Sequence, residues 1–163
     1  RAQVNSGRMA EPFWYVDSPL TTPSADHPFA GRPPKGEDPV AAPGVIAPDV
    51  AITLAGGEAV RIRALARQGL LVLVGADLDT QAVAEALAGL CTTDALEGLG
   101  RQKFVLPLAE VDPDGTVAQA LGAQPGEAWV FRPDAHIAAV ATSATDAAAA
   151  AYRAVGATAP ATV

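Results

Sequence analysis

Nine of the 14 prolines fall within residues 1–48. Proline fixes φ at about −65° and offers no backbone N–H, so this stretch can build neither a long helix nor a central strand. The same stretch holds Phe13, Trp14, Tyr15 and Phe29, and a solvated, disordered tail seldom gathers four aromatics so closely. Residues 1–48 therefore read as an extended arm with turns at Ser18-Pro19 and Arg32-Pro33-Pro34-Lys35-Gly36. The arm is expected to lie along another surface, one candidate being a part of the protein outside these residues. The opening Arg1-Ala2-Gln3-Val4-Asn5, polar and without an initiator Met, has the look of a cut inside a longer protein.

From residue 49 to about 158 the pattern is globular, and 159–163 reads as a tail. Val50–Leu54 and Val60–Leu65 flank Ala55-Gly56-Gly57-Glu58, which predicts a hairpin. Leu70–Val74 is an uninterrupted apolar run, as expected of a strand covered on both faces. Asp79 or Thr80 would cap a helix over Gln81–Ala88, with Val83, Leu87 and Leu90 on one stripe and Gly89 marking its end. Lys103–Leu108 predicts the next strand, Asp112-Pro113-Asp114-Gly115 a turn, and Thr116–Leu121 a short helix closed by Gly122. Ala128–Phe131 and His136–Val140 form a second hairpin across Arg132-Pro133-Asp134-Ala135. An Ala-rich helix, Asp146–Val155, follows with Thr145 or Asp146 near its cap. Strand, helix, strand, helix, hairpin, helix is a thioredoxin-like α/β order with a central mixed sheet. It is preceded here by the first hairpin and the arm.

Charge and cysteine count remove whole classes of function. The 163 residues carry 11 basic and 18 acidic side chains, a net charge of −7. Without a Lys/Arg cluster there is no footprint for nucleic-acid phosphates. No run approaches the ~18 apolar residues of a membrane span. A lone cysteine excludes an intrachain disulfide and a thiolate metal cage, and makes a reducing compartment, the cytoplasm, the expectation. Alanine supplies 37 residues, so helices here gain little apolar area per contact and must pack closely.

The candidate chemistry thins out on inspection. A thioredoxin-like domain keeps its thiols between the first central strand and the following helix, where the helix N-terminus stabilises a thiolate. Here that position reads Gly75-Ala76-Asp77-Leu78-Asp79-Thr80, with no sulfur and two carboxylates. Cys91 falls past the far end of the helix and reads as a buried, inert residue. The alternative is a thiol-based redox domain using Cys91. Asp77-Leu78-Asp79 and Asp112-Pro113-Asp114 lack the ligand spacing of a calcium loop and read as caps and turns. His27 and His136 have no Cys or Glu at ligand spacing, so no metal site is expected. His136 is assigned to the hairpin, contacting Asp134. Neither a Gly-x-Ser-x-Gly elbow nor a dinucleotide or phosphate loop occurs, so no catalytic or cofactor-binding residue is assigned. Trp129 and Phe131 share a strand face, and a core or interface role suits them better than a ligand platform.

Several stretches together resemble the flavin-dependent aromatic hydroxylases, a family that includes phenol hydroxylase, the hydroxyphenylpropionate hydroxylases and the aromatic polyketide hydroxylases. Asn5-Ser6-Gly7-Arg8 and Tyr15-Val16-Asp17-Ser18-Pro19-Leu20 resemble the segment leaving the FAD- and substrate-binding part of those enzymes. Ala42-Pro43-Gly44-Val45-Ile46-Ala47-Pro48-Asp49, Leu70–Val74 and Val130-Phe131-Arg132-Pro133-Asp134-Ala135-His136-Ile137-Ala138 resemble their C-terminal domain. The resemblance implies a thioredoxin-like domain without the dithiol, in which Arg132, Pro133, Asp134 and His136 are structural motif residues. It implies a parent enzyme using FAD, NADPH and O₂ to hydroxylate a phenolic ring. It also implies the upstream FAD/substrate domain as partner, and a structural or dimer-forming role for this part. Ala139-Val140 stands where many relatives carry Trp-Arg, so no role tied to that pair transfers. A stand-alone protein-binding module is the remaining alternative.

Overall fold

The apolar run at the centre of the sequence becomes the centre of the sheet. The structure, a computed structural model, describes residues 14–34, 36–92 and 102–158. Strand β3, Gly69–Val74, is buried at every residue. It pairs in parallel with β4 (Gln102–Pro107) and antiparallel with β5 (Ala128–Phe131), which pairs antiparallel with β6 (Ile137–Ala141). The strand order is β4-β3-β5-β6, a mixed four-stranded sheet. β1 (Ala51–Thr53) and β2 (Ala59–Arg61) make a separate two-stranded hairpin.

Alternation along β3 divides the core between the two faces of the sheet. Leu70, Val72 and Val74 join α2 (Thr80–Ala86) and the C-terminal helix. Leu71 and Leu73 join Ile52, Trp129 and Phe131 on the other face. That second face is covered by the β1–β2 hairpin and by α1 (Ile62–Ala66), α3 (Leu108–Val111) and α4 (Thr116–Leu121).

The predicted stripe of Val83, Leu87 and Leu90 is fully buried, and Asp79 caps α2 by accepting the amides of Gln81 and Ala82. Four local expectations change. The second strand of the first hairpin stops at Arg61, because Ile62, Leu65 and Ala66 bury themselves at helical spacing and form α1. Leu108 leaves β4 and starts α3. Gly89 does not end the helical stretch, since a 3₁₀ turn over Ala88–Thr92 runs through it. A β-carbon at Gly89 would lie 2.8 Å from the Tyr152 hydroxyl, so the small residue serves a close approach. Finally, α5 spans Ala144–Ala154, and its N-cap is Ser143, which accepts the amide of Asp146 at 3.1 Å.

The arm docks on this sheet. Its second half, Ala41, Ala42, Val45 and Ala47, is buried. The Gly44 amide donates to the Ile137 carbonyl at 2.7 Å, the Ile137 amide to Val45 at 2.8 Å, and the Ala47 amide to Ala135 at 2.8 Å. The β5–β6 register slips between Val130 and Phe131, so Ala138 is skipped in the ladder. A bulge leaves its extra residue without a ladder partner. Here the arm fills the gap, with the Thr22 amide donating to the Ala138 carbonyl at 2.8 Å. The Arg63 guanidinium, on α1, adds a bond to the Ala47 carbonyl.

Candidate functional site

Polar side chains gather at the two ends of β5, and both groups include the arm. At the hairpin end, Arg132 to Ala135 close a turn in which the Ala135 amide donates to the Arg132 carbonyl. Pro133 presets one φ, and Ala135 takes a left-handed φ of 67°. This geometry folds the Asp134 carboxylate back between its neighbours. Its Oδ2 accepts from Arg132 Nη2, and its Oδ1 faces the His136 amide at 3.2 Å and His136 Nδ1 at 3.3 Å. Burial alone would raise the Asp134 pKa. The His136 ring and amide and the Arg132 guanidinium outweigh it and hold the carboxyl well below its ordinary range.

Tyr15 completes this group from the arm. Its ring meets His136 edge-on at 4.7 Å, and the Arg132 guanidinium lies 5.4 Å from its centroid. Arg132 Nη1 also reaches Ser18 Oγ at 3.5 Å. The motif residues Arg132, Asp134 and His136 are thus brought together. They position a turn and grip Tyr15 and Ser18.

At the other end of β5, Glu127 is almost completely buried. One carboxylate oxygen accepts the Gln124 amide at 2.8 Å and the Trp129 indole N–H at 3.2 Å. The other lies 2.7 Å from His27 Nε2, and the His27 ring stands edge-on to the Trp129 ring at 4.8 Å. The Glu127 carbonyl accepts the Gly75 amide at 2.7 Å, which fastens the β3–α2 turn to the same place. Sequence reasoning missed Glu127. One signal was present: a buried indole N–H needs an acceptor, and a carboxylate two residues earlier on a strand lies on the same face. Nothing local links His27 to either residue.

Of the other candidates, Trp129 belongs to the Glu127 group, and Phe131, Asp112 and Cys91 fall outside both. Trp129 and Phe131 are 0% exposed. The interface role is corrected to a core role, since this chain offers neither ring as surface. Asp112 accepts the amides of Val117 and Ala118 and so holds the start of α4. The backbone of Cys91 lies in the 3₁₀ turn, and its side chain lies outside the described residues. Among the described residues no three metal-ligating side chains cluster, and no helix is long and apolar enough to cross a membrane.

No protein-family model matches the sequence, and no curated protein matches it. Solved structures do share its fold. The flavin-dependent monooxygenase PieE, solved with FAD and substrate, aligns over 94% of this chain at 19% identity and a TM-score of 0.62. Aklavinone-11 hydroxylase, solved with FAD and aklavinone, aligns over 89% at 24% identity and a TM-score of 0.62. The chain spans 27% and 26% of those two proteins, about a quarter of each.

The β3–α2 turn does not fit the phosphates of FAD. A dinucleotide's phosphates rest on a glycine-rich strand-to-helix turn whose free amides face the anion. The β3–α2 turn offers one glycine, Gly75, beside Asp77 and Asp79. The carboxylate of Asp79 already occupies the amides of Gln81 and Ala82.

Proposed function

We propose that this chain is the C-terminal accessory domain of a FAD- and NADPH-dependent monooxygenase that hydroxylates a phenolic or polycyclic aromatic substrate. One observation carries the reading: nearly the whole chain superposes on about a quarter of a flavin-dependent monooxygenase. The strand order β4-β3-β5-β6, with β3 parallel to β4 and antiparallel to β5, supports a thioredoxin-like fold. The β3–α2 turn, where such a fold would keep paired thiols, holds a capping aspartate instead.

In this reading the domain is structural, and flavin chemistry belongs to the upstream FAD/substrate domain of the same cytoplasmic protein. The arm is the connection between the two, and a second copy of the chain is the further partner. Two measurements on the purified 163-residue chain test it. Expected are no flavin absorbance and no phenol-dependent NADPH oxidation. Bound FAD with turnover would overturn the reading. Sedimentation tests the dimer, and a monomer at all concentrations would remove that part.

A further inference from the structure

We propose that residues 23–40, between the sheet anchor at Thr22 and the buried segment from Ala41, form a strap latched by His27 on Glu127, and that the strap opens as a unit while the sheet stays folded. The burial pattern changes abruptly along the arm. Every described residue from Pro23 to Val40 is exposed or half-buried, whereas 41–45 are buried without interruption. Segments with few buried apolar contacts open at lower free energy than the core they lie on.

Against that weak background the His27–Glu127 pair stands out. The two side chains are 12% and 8% exposed and meet at 2.7 Å across 100 residues of sequence. Several other contacts of the strap stay within the arm: the His27 amide to Ser24 Oγ, the Glu37 amide to Pro34, and Phe29 against Trp14. Removing one partner of a buried, hydrogen-bonded carboxylate leaves the other under-satisfied, so the loss falls on the latch. Opening uncovers the Trp129 ring and a Glu127 oxygen at the end of the sheet where β3 emerges. The inference does not rest on the flavoenzyme reading, and its test is independent of FAD.

The test uses the 163-residue chain carrying Trp14→Phe, so that Trp129 is the sole indole. Two readouts follow the strap: chymotryptic cleavage after Phe29 and acrylamide quenching of Trp129. His27→Ala is expected to speed cleavage at least tenfold and raise quenching, with an unchanged urea midpoint within error. His27→Gln, which keeps an N–H donor, is expected to recover most of the protection. Cleavage and quenching equal to the parent in His27→Ala would overturn the latch. In the parent itself, cleavage after Phe29 should not depend on urea below the unfolding midpoint. If it instead tracks global unfolding, the strap is no separate unit and the proposal fails even where the variants do not fold.

Discussion

Gly44 lies directly against Val16: a β-carbon at Gly44 would sit 2.5 Å from the Val16 amide nitrogen. Gly44 also has φ +89°. The two halves of the arm meet at this point, with the Tyr15 amide donating to the Gly44 carbonyl. Gly44→Ala is therefore expected to destabilise by about 2 kcal/mol or more, from backbone strain plus displacement of Val16. Gly31 shares a positive φ, +86°, but has open space around it, so Gly31→Ala should cost clearly less. Thermal melting of the two variants checks the difference, and equal losses would deny the close contact.

The Trp129 indole and the Glu127 carboxylate form a buried hydrogen bond. Trp129→Phe keeps a ring but removes the donor, and should cost about 1–3 kcal/mol. A double-mutant cycle with Glu127→Ala, which removes the acceptor, should give a coupling of about 1 kcal/mol. Strict additivity in urea denaturation would contradict the pairing.

Asp134 gives the fold an acid-sensitive joint. Its folded-state pKa is depressed below the ordinary 3.8, so its contribution is fully present above that value and is lost as pH falls through the folded pKa. The stability gap between the parent and Asp134→Asn should be widest above about pH 5 and narrow steadily as pH falls below the ordinary 3.8. A gap that widens on acidification would reverse the assignment.

The C-terminal helix is capped by Ser143 and not by the threonine two residues on. Ser143→Ala is expected to cost about 1 kcal/mol, while Thr145→Ala should be near neutral. Chemical denaturation of the pair decides between the two starts.

Periodicity made much of the fold legible. The unbroken apolar run specified β3, the 83/87/90 stripe specified the buried face of α2, and Gly122 marked the end of α4 at a left-handed φ of 65°. The path of the arm was not legible. Its anchors are backbone bonds from Thr22, Gly44 and Ala47, which leave no side-chain pattern, together with pairs such as His27–Glu127 that are distant in sequence. The first hairpin misled for a related reason. Val60–Leu65 alternates well enough for a strand, but Ile62, Leu65 and Ala66 had a core to reach at helical spacing. At the hairpin of β5 and β6, the Asp134–His136 contact could be read from a two-residue spacing, whereas Tyr15 as their companion could not.

The slipped register beside Ala138 has a practical consequence for anyone trimming this polypeptide. A version beginning at residue 49 would strip the neighbours from the carbonyls of Ile137 and Ala138 and from the Ile137 amide. An outer strand with bare hydrogen-bonding groups is a template for sticking to its own kind. Such a shortened product should precipitate, so the smallest well-behaved unit has to begin before Tyr15.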